Sequence, residues 1–265
     1  MLQLPIVFPS DFVKKSNEFI RNRLTINDTL AGRILAIATS ALRINDIDFF
    51  TYRIPTNSFF STDCNIGGSQ YDQMKKAIAD LSKAGMEKKF GKNGFVRYPL
   101  FYRIAYDEGF IEITFHPEVK PFFLDLKAHF TKYNIVEFLM LPSIYSQRIF
   151  EILKSWNGCP EILVPILELQ DVLNVPSSLK NDFTNFRRRV LEKAHLDITK
   201  NTSLCYEWEP IKTKNKVTAI RFIFSQENKT ITKEIRIKKL TDKFIAEQAR
   251  PGETWEEARE RLSNR

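Results

Sequence analysis

Apolar residues recur at helical spacing in several stretches of the chain, and each stretch is bounded by capping or turn-forming residues. In the first half, "DTLAGRILAIATSALRI" (28–44) predicts a helix. "DFFTYRI" (48–54) predicts a strand that Pro55 ends, and "TNSFF" one short helical turn. "SQYDQMKKAIADLSKAG" (69–85) predicts a second amphipathic helix, with Ser69 as N-cap and Gly85 as C-terminal stop. Strands follow: "MEKKF", the turn "GKNG" (91–94), "FVRYPLFYRIAY", the turn "DEG" (107–109) and "FIEITF".

The second half repeats this order. "SIYSQRIFEILKSW" (143–156) is helical, "EILVPI" (161–166) a strand, and "LELQDVLNV" (167–175) a short helix closed by Pro176. "SSLKNDFTNFRRRVLEKAH" (177–195) predicts one long helix capped by Ser177 or Ser178, and "LCYEWEPI", "KTKNK" (212–216) and "VTAIRFIF" predict a hairpin. Helix, strand, short helix, longer helix, hairpin is the winged-helix order, a helix-turn-helix with a β wing. Its double occurrence predicts an α+β chain of two tandem winged-helix domains, against the alternative of a single α+β domain whose order is coincidental. The expected boundaries are 1–130 for the first domain, 131–245 for the second and 246–265 for a charged tail. Residues 118–138 are expected to include a connecting helix. The stretch 230–240 is ambiguous between strand and helix. "PGETWEEARERLSNR" (251–265) reads as a charged helix packed through Trp255 and Leu262, or as a frayed end.

Charge sharpens this picture. The chain has 265 residues, 43% of them hydrophobic, and a net charge of +8. That is enough for one large or two modest cores, and the balance suggests a polyanionic partner. Residues 177–216 hold nine Lys/Arg against five Asp/Glu, and residues 70–103 hold eight against three. The positive excess therefore sits on the two helix-plus-wing units.

In the long helix, Leu179, Phe183, Phe186, Val190 and Ala194 share one face, which is core. Asn181, Thr184, Asn185 and Arg188 lie opposite, with Arg189 at the edge and Lys180 beside them. Asn pairs bidentately with adenine, and Arg with guanine, in the major groove. Arg187 lies nearer the core side and suits a phosphate contact or a structural one. Glu192 faces outward, to accept from cytosine or to limit non-specific binding. Any one of these arginines could equally be a solvated or salt-bridged side chain. The neighbouring wing, with Lys212, Lys214 and Lys216, favours nucleic acid. In the helix at 69–85, Gln73, Lys75 and Lys76 suit phosphate positioning and one base contact. Lys92, Asn93 and Arg97 on the following hairpin suit the backbone or the minor groove.

Catalytic signatures do not appear. The histidines, His116, His129 and His195, form no His-x-His pair of the kind that nicking initiators use to hold a metal, and the sequence has no P-loop and no G-x-S-x-G. Asp46 with Asp48, and Glu256 with Glu257, read as surface charges. No catalytic residue, metal or cofactor is expected. Cys64, Cys159 and Cys205 are far apart, which fits a reducing compartment. No signal peptide or membrane span is visible, so the protein is expected to be soluble and cytoplasmic.

"FVKKSNEFIRNRLTIN", "YSQRIFEILKSW" (145–156) and "FRRRVLEKAHLDITKNTSLCYEWEPIKTKNKVTAIRF" (186–222) together resemble the iteron-binding plasmid replication initiators, the Rep superfamily that includes the initiator of the F plasmid. The resemblance runs from about residue 12 to 225 and is strongest in the second unit. It implies two winged-helix domains on directly repeated origin DNA, with helix 178–195 in the major groove. It further implies a first domain with a groove contact and a dimer interface, and monomers that open the origin while dimers repress their own gene. The host initiator, the replicative helicase and heat-shock chaperones are the partners it implies, in a bacterial, plasmid-encoded setting. A repressor without an initiation role, an origin-nicking or unwinding enzyme, and a protein-interaction scaffold are the alternatives.

Overall fold

The computed structural model describes residues 10–224, except 44, 45, 60–67, 92, 108, 125, 127 and 157, with every side chain in that range but that of Asn57. Cys64, Lys92, the stretch 230–240 and the tail 251–265 lie outside the described residues.

The first unit opens with β1 (Phe12–Ser16), α1 (Asn17–Arg21) and β2 (Arg23–Leu24). Asp28 then caps α2 (Thr29–Ser40), accepting from the N–H groups of Leu30 and Ala31. Nearly all of α2 is buried. It is followed by β3 (Thr51–Pro55), a 3₁₀ turn at Thr56–Ser58, α3 (Gly68–Leu81), and the hairpin of β4 (Gly85–Phe90) and β5 (Gly94–Pro99). A second hairpin, β6 (Phe101–Asp107) and β7 (Phe110–Phe115), pairs with β3 in the order β3-β7-β6, while β2, β4 and β5 form a separate sheet.

The expected single strand 95–106 is therefore two strands in two sheets. Pro99 and the fully buried Leu100 make the break, and the Leu100 N–H donates to the Ala84 carbonyl. Helix α3 ends at Leu81, short of the expected stop. Gly85 instead opens β4, exchanging bonds with Thr25 where the Arg97 side chain passes so close that a Cβ would fall 2.8 Å from its Nε.

The connecting helix expected in 118–138 is replaced by a 3₁₀ turn at Pro117–Val119, α4 (Lys120–Phe123), β8 (Phe130–Asn134) and α5 (Ile135–Leu139). Strand β8 pairs antiparallel with β1, more than a hundred residues earlier, in a two-stranded ribbon. Its alternation explains the strand. Thr131 and Tyr133 are buried beside Val13 and Lys15, while Phe130 and Lys132 face out. The pairing is symmetric about Lys14 opposite Lys132, with Phe12 opposite Asn134 and Ser16 opposite Phe130. Each strand ends in a side-chain N-cap, Ser16 for α1 and Asn134 for α5. The internal repeat thus extends upstream of both long helices.

Helix α6 (Ile144–Lys154) starts the second unit and is almost entirely buried. It packs against α1, α2 and β8. Gly32 of α2 makes the α2–α6 approach feasible, since a Cβ there would fall 2.2 Å from Gln147 Oε1. Buried apolar side chains consequently run without interruption from α2 through α6 into the second unit. Ser143 caps α6 by accepting from the N–H groups of Tyr145 and Ser146 at 3.2 and 3.4 Å. Ser143→Ala is expected to cost about 1 kcal/mol, read as a lower urea midpoint with an unchanged m-value.

Beyond α6 come β9 (Glu161–Pro165), α7 (Ile166–Val172), α8 (Ser177–Lys180), α9 (Phe183–Phe186), a π-helical stretch at Arg187–Glu192, α10 (Lys193–Asn201), β10 (Tyr206–Thr213) and β11 (Lys216–Phe224). The strands order as β10-β11-β9. The expected unbroken helix 177–195 is broken and longer. Neither Ser177 nor Ser178 caps it. Asp182 interrupts the helix by leaving helical φ/ψ (φ −125°, ψ 96°) to accept from the Asn185 N–H. The helix then continues six residues past His195, because Ile198 prolongs the buried series Phe186, Val190, Ala194. Both halves present helix, strand, helical turn, longer helix and hairpin, so the chain is α+β with two winged-helix units in tandem.

Candidate nucleic-acid interface

The continuous run α9, π stretch and α10 buries Phe186, Val190, Leu191, Ala194 and Ile198 and turns its other side outward. Arg187, Arg188 and Arg189 are all exposed. A π turn widens the helix so that residues five apart come together. Arg187 Nε accordingly donates to Glu192 Oε1 at 2.7 Å, and its guanidinium stands 6.0 Å from the Trp208 ring on the wing strand. Glu192, outward as expected, is the partner of Arg187 in the free chain.

A short relay orders the helix start. Asp182 Oδ1 accepts from the Asn185 N–H at 3.0 Å, Asn185 Nδ2 donates to Asp182 Oδ2 at 2.5 Å, and Arg188 Nη2 donates to Asn185 Oδ1 at 3.1 Å. The backbone and side-chain bonds from Asn185 hold the Asp182 carboxyl below its ordinary range. The relay aims Arg188 while leaving guanidinium N–H groups free to donate elsewhere. Arg189 and the exposed Thr184 have no side-chain partner among the described residues. Lys180 and Asn181 lie on α8 and at its end, before the helix break. Lys180 is half-buried and its carbonyl accepts from Gln170, whereas Asn181 is exposed.

The hairpin β10–β11 stands beside this helix. Lys212, Lys214 and Lys216 are exposed, with no ion-pair partner among the described residues. A register shift between Ile211 and Lys212 kinks the strand just before its tip, and Lys214 takes the left-handed φ of 56° at the turn. His195 is only partly exposed, and its Nε2 lies 3.9 Å from the exposed Glu207 carboxylate on the wing. Its ring meets Tyr206 edge-on at 5.0 Å, beneath the wing.

The first unit is built less regularly. Gln73, Lys75 and Lys76 are exposed on α3, whose inner face buries Met74, Ala77 and Leu81. Gln73 reaches Ser69 at 3.5 Å, and Lys76 lies 3.7 Å from Asp28. Arg97 has turned back onto its own unit, donating to the Lys83 carbonyl at 2.6 Å and to Thr25 Oγ1 at 3.2 Å. The hairpin β4–β5 reaches the second unit through Lys89, which pairs with Asp171 at 2.7 Å. Nearby, Arg23 donates to Asn174 Oδ1 at 2.7 Å, and Asn174 adopts a left-handed φ of 51° to meet it. These contacts fix how the two units' exposed helices are spaced.

Two groups of residues escaped the sequence reading. Lys193 and Lys200 are exposed on α10. Lys200 lies beyond the expected helix end, and the continued four-residue apolar spacing to Ile198 was the signal for it. The second group is the buried set Lys15, Arg148 and Glu151, which charge alone would place at the surface. Lys15 Nζ and Tyr133 Oη donate to Glu151 Oε1 at 2.7 and 2.6 Å, and Arg148 Nη1 to Glu151 Oε2 at 2.8 Å. Arg148 also donates to the carbonyls of Ile20 and Asn22. One carboxylate thus clamps β1, β8 and α6, the elements that hold the two units together.

Among the described residues no helix is long and apolar enough to cross a membrane. Among the described residues, Cys159 and Cys205 are not joined in a disulfide.

Comparison with known proteins gives this geometry a lineage. A family profile described as "Initiator Replication protein, WH1" matches residues 12–154, more than half of the chain, and one described as "Initiator Rep protein, WH2" matches residues 165–224. Among solved structures, the Pi initiator protein in complex with iteron DNA is similar with a TM-score of 0.64 at 18% identity, over 83% of this chain and 100% of that one. Domains 2 and 3 of RctB align over 85% of this chain and 95% of that one, at 13% identity and a TM-score of 0.44. The Pi likeness, at its identity, establishes a shared fold. The two profile matches establish more: this chain belongs to the replication initiator family built from a WH1 and a WH2 domain.

Proposed function

We propose that the chain binds directly repeated double-stranded origin DNA, sequence-specifically and through both units, and thereby initiates replication of a plasmid in the bacterial cytoplasm. The observation that carries this reading is the exposed Arg188 and Arg189 on a helix whose other face is core, set beside a hairpin tip bearing Lys212, Lys214 and Lys216. That is a base-reading helix with a phosphate-holding wing. The Pi initiator, which shares this fold, has been seen with iteron DNA, and this supports direct repeats as the target.

In this reading Arg188 and Asn185 contact base edges, while Arg187, Arg189, Thr184 and the wing lysines hold phosphates. Lys180 and Asn181 flank the helix start. In the first unit Gln73, Lys75 and Lys76 position the backbone. Arg97 shapes its hairpin through Nη2, which donates to Lys83 and Thr25, and its exposed guanidinium keeps further N–H groups for the DNA backbone. Two reading helices in successive major grooves lie ~34 Å apart. Binding at several repeats strains an adjoining A·T-rich stretch until it opens. Dimerisation through the first unit, repression of its own gene, and recruitment of the host initiator, helicase and chaperones complete the proposal.

Supplying the gene in trans to a plasmid that carries only the origin tests initiation. Maintenance of that plasmid supports it, and loss of the plasmid despite repression of the gene's promoter favours the repressor reading. Strand cleavage with Mg²⁺, or ATP hydrolysis by the pure protein, would replace it with an enzyme reading. Lys214→Ala is expected to weaken binding evenly across sequences and to lower the slope of log K against log salt by about one. Titrations on repeat and scrambled duplexes at several salt concentrations check this.

A further inference from the structure

The ribbon β1–β8 carries a feature that DNA reading does not explain. The Asn17 N–H donates to the His129 carbonyl and the Ile135 N–H to the Asp11 carbonyl, so the odd-numbered residues form the hydrogen-bonded pairs. Lys14 and Lys132 are therefore a non-hydrogen-bonded pair, the register in which opposed side chains come closest. Like charges directly opposed destabilise a sheet. Neither lysine has an ion-pair partner among the described residues, and the Lys132 ammonium rests 3.9 Å from the Phe12 ring centroid. Phe12 and Phe130, 37% and 40% exposed, flank the pair on the same outward face. This is a cationic centre between two apolar flanks.

That face points away from the DNA-reading helix. Lys15 and Tyr133, on the ribbon's inner side, bond Glu151 of α6, whereas Ser146 of the same helix bonds Asp197 of α10 at 2.6 Å. Residues five apart on an α-helix point about 140° apart, so α6 stands between the ribbon and α10. A second copy docking by the same face would oppose four lysines, which argues against self-association there.

We propose that this face receives the acidic, tryptophan-bearing segment 253–257 (ETWEE) of the same chain. Glu253, Glu256 and Glu257 supply the charge that Lys14 and Lys132 lack, and Trp255 supplies an aromatic surface for Phe12 and Phe130. The described chain ends at Phe224, and the 28 residues from 225 to 252 span roughly 90 Å when extended, well beyond the width of a compact chain of this length. Docking there keeps a segment of three negative charges and no positive ones off the basic DNA-reading surface.

Zero-length carbodiimide cross-linking of the full chain, read by mass spectrometry, tests this. At low salt the expected products join Lys14 or Lys132 to Glu253, Glu256 or Glu257. In an equal mixture of ¹⁵N-labelled and unlabelled protein, each product should carry one isotope only. The yield should fall at least threefold in ~0.5 M salt, where exposed charges are screened, and in Trp255→Ala, which leaves the ribbon intact and so separates lost docking from lost folding. Lys14→Glu/Lys132→Glu should abolish the products. Combining it with Glu253→Lys/Glu256→Lys/Glu257→Lys should restore joined peptides between the same segments. The exposed Lys88–Glu18 pair serves as a positive control for the chemistry. If Lys88 and Glu18 join while no product links 14 or 132 to 253–257, the proposal fails. It also fails if those products are of mixed isotope, or if the two lysines become protected from acetylation only when DNA is added.

Discussion

Glu151→Ala is expected to destabilise the chain by about 3–5 kcal/mol, the loss typical of a buried ion pair deprived of one partner. The substitution removes the carboxylate that two buried cations, Lys15 and Arg148, share. Lys15 is 1% exposed and Glu151 2%, so water cannot take its place. Lys15 and Arg148 would be left as uncompensated charges, and Tyr133 as an unsatisfied hydroxyl. A partial rescue distinguishes this cause from simple cavity formation. Lys15→Met combined with Glu151→Leu should cost less than the sum of the two single changes, because the apolar pair removes both the carboxylate and one of its cations.

The same cluster sets an acid sensitivity. Burial by itself pushes the Glu151 carboxyl up, but the charges of Lys15 and Arg148 and the bonds from Lys15 and Tyr133 outweigh it and hold the group below its ordinary 4.5. Lys15 is drawn down by burial, with Glu151 opposing. Two cations around one carboxylate keep Glu151 ionised, and that is the direction that governs stability here. A carboxyl depressed in the folded state contributes stability that is fully present above its unfolded value. That contribution is lost as pH falls through the folded value. The parent chain should therefore lose stability on acidification below about pH 5 more steeply than Glu151→Ala does, in urea melts taken across that range. Parallel curves would show that Glu151 is not the group responsible.

Arg188→Ala is expected to cost roughly 1–3 kcal/mol of discrimination between repeat and scrambled DNA, and to relax base preference at a single position. Its guanidinium is exposed and aimed by Asn185, itself fixed by Asp182, so the side chain is partly ordered before DNA arrives. Preorganisation lowers the entropy lost when a long side chain is immobilised. Asn185→Ala should then cost specificity both by losing an amide and by releasing Arg188. Lys214→Ala, in contrast, should leave the ratio of repeat to scrambled affinity unchanged. Arg187→Ala should act more like the lysine change, since Glu192 already holds that group.

The order of elements was readable because local chemistry dictates most of it. The apolar spacing of Phe186, Val190 and Ala194 marks a core-facing helix, Pro55 and Pro176 mark stops, and the alternation in 206–224 marks a hairpin. Charge on the helix-plus-wing units pointed to the surface proposed as the interface, and all three arginines in "FRRRV" are exposed in the structure. What could not be read depended on distant partners. The connecting helix expected in 118–138 gives way in part to β8, whose partner β1 lies far away in sequence. Lys15, Arg148 and Glu151 look like surface charges until two elements far apart in sequence, β1 and α6, bring them together. The break at Asp182 was written in the sequence as an N-cap residue three positions before Asn185, but two serines upstream offered competing caps of equal local merit. Arg97 shows another dependence on distant partners. A basic residue on a wing suggests a phosphate, yet the close approach of Gly85 draws its side chain across its own sheet toward the Lys83 carbonyl.

In the proposed complex, two helix-plus-wing units read successive grooves of one duplex. Hydroxyl-radical footprinting of the full chain on repeats lying near its own gene tests that most directly. The account predicts two protected patches on one face of the helix, centred about 10–10.5 base pairs apart within each repeat, with Arg188→Ala weakening one patch and leaving the other. A single protected groove per repeat, or equal protection of repeat and scrambled DNA, would contradict it.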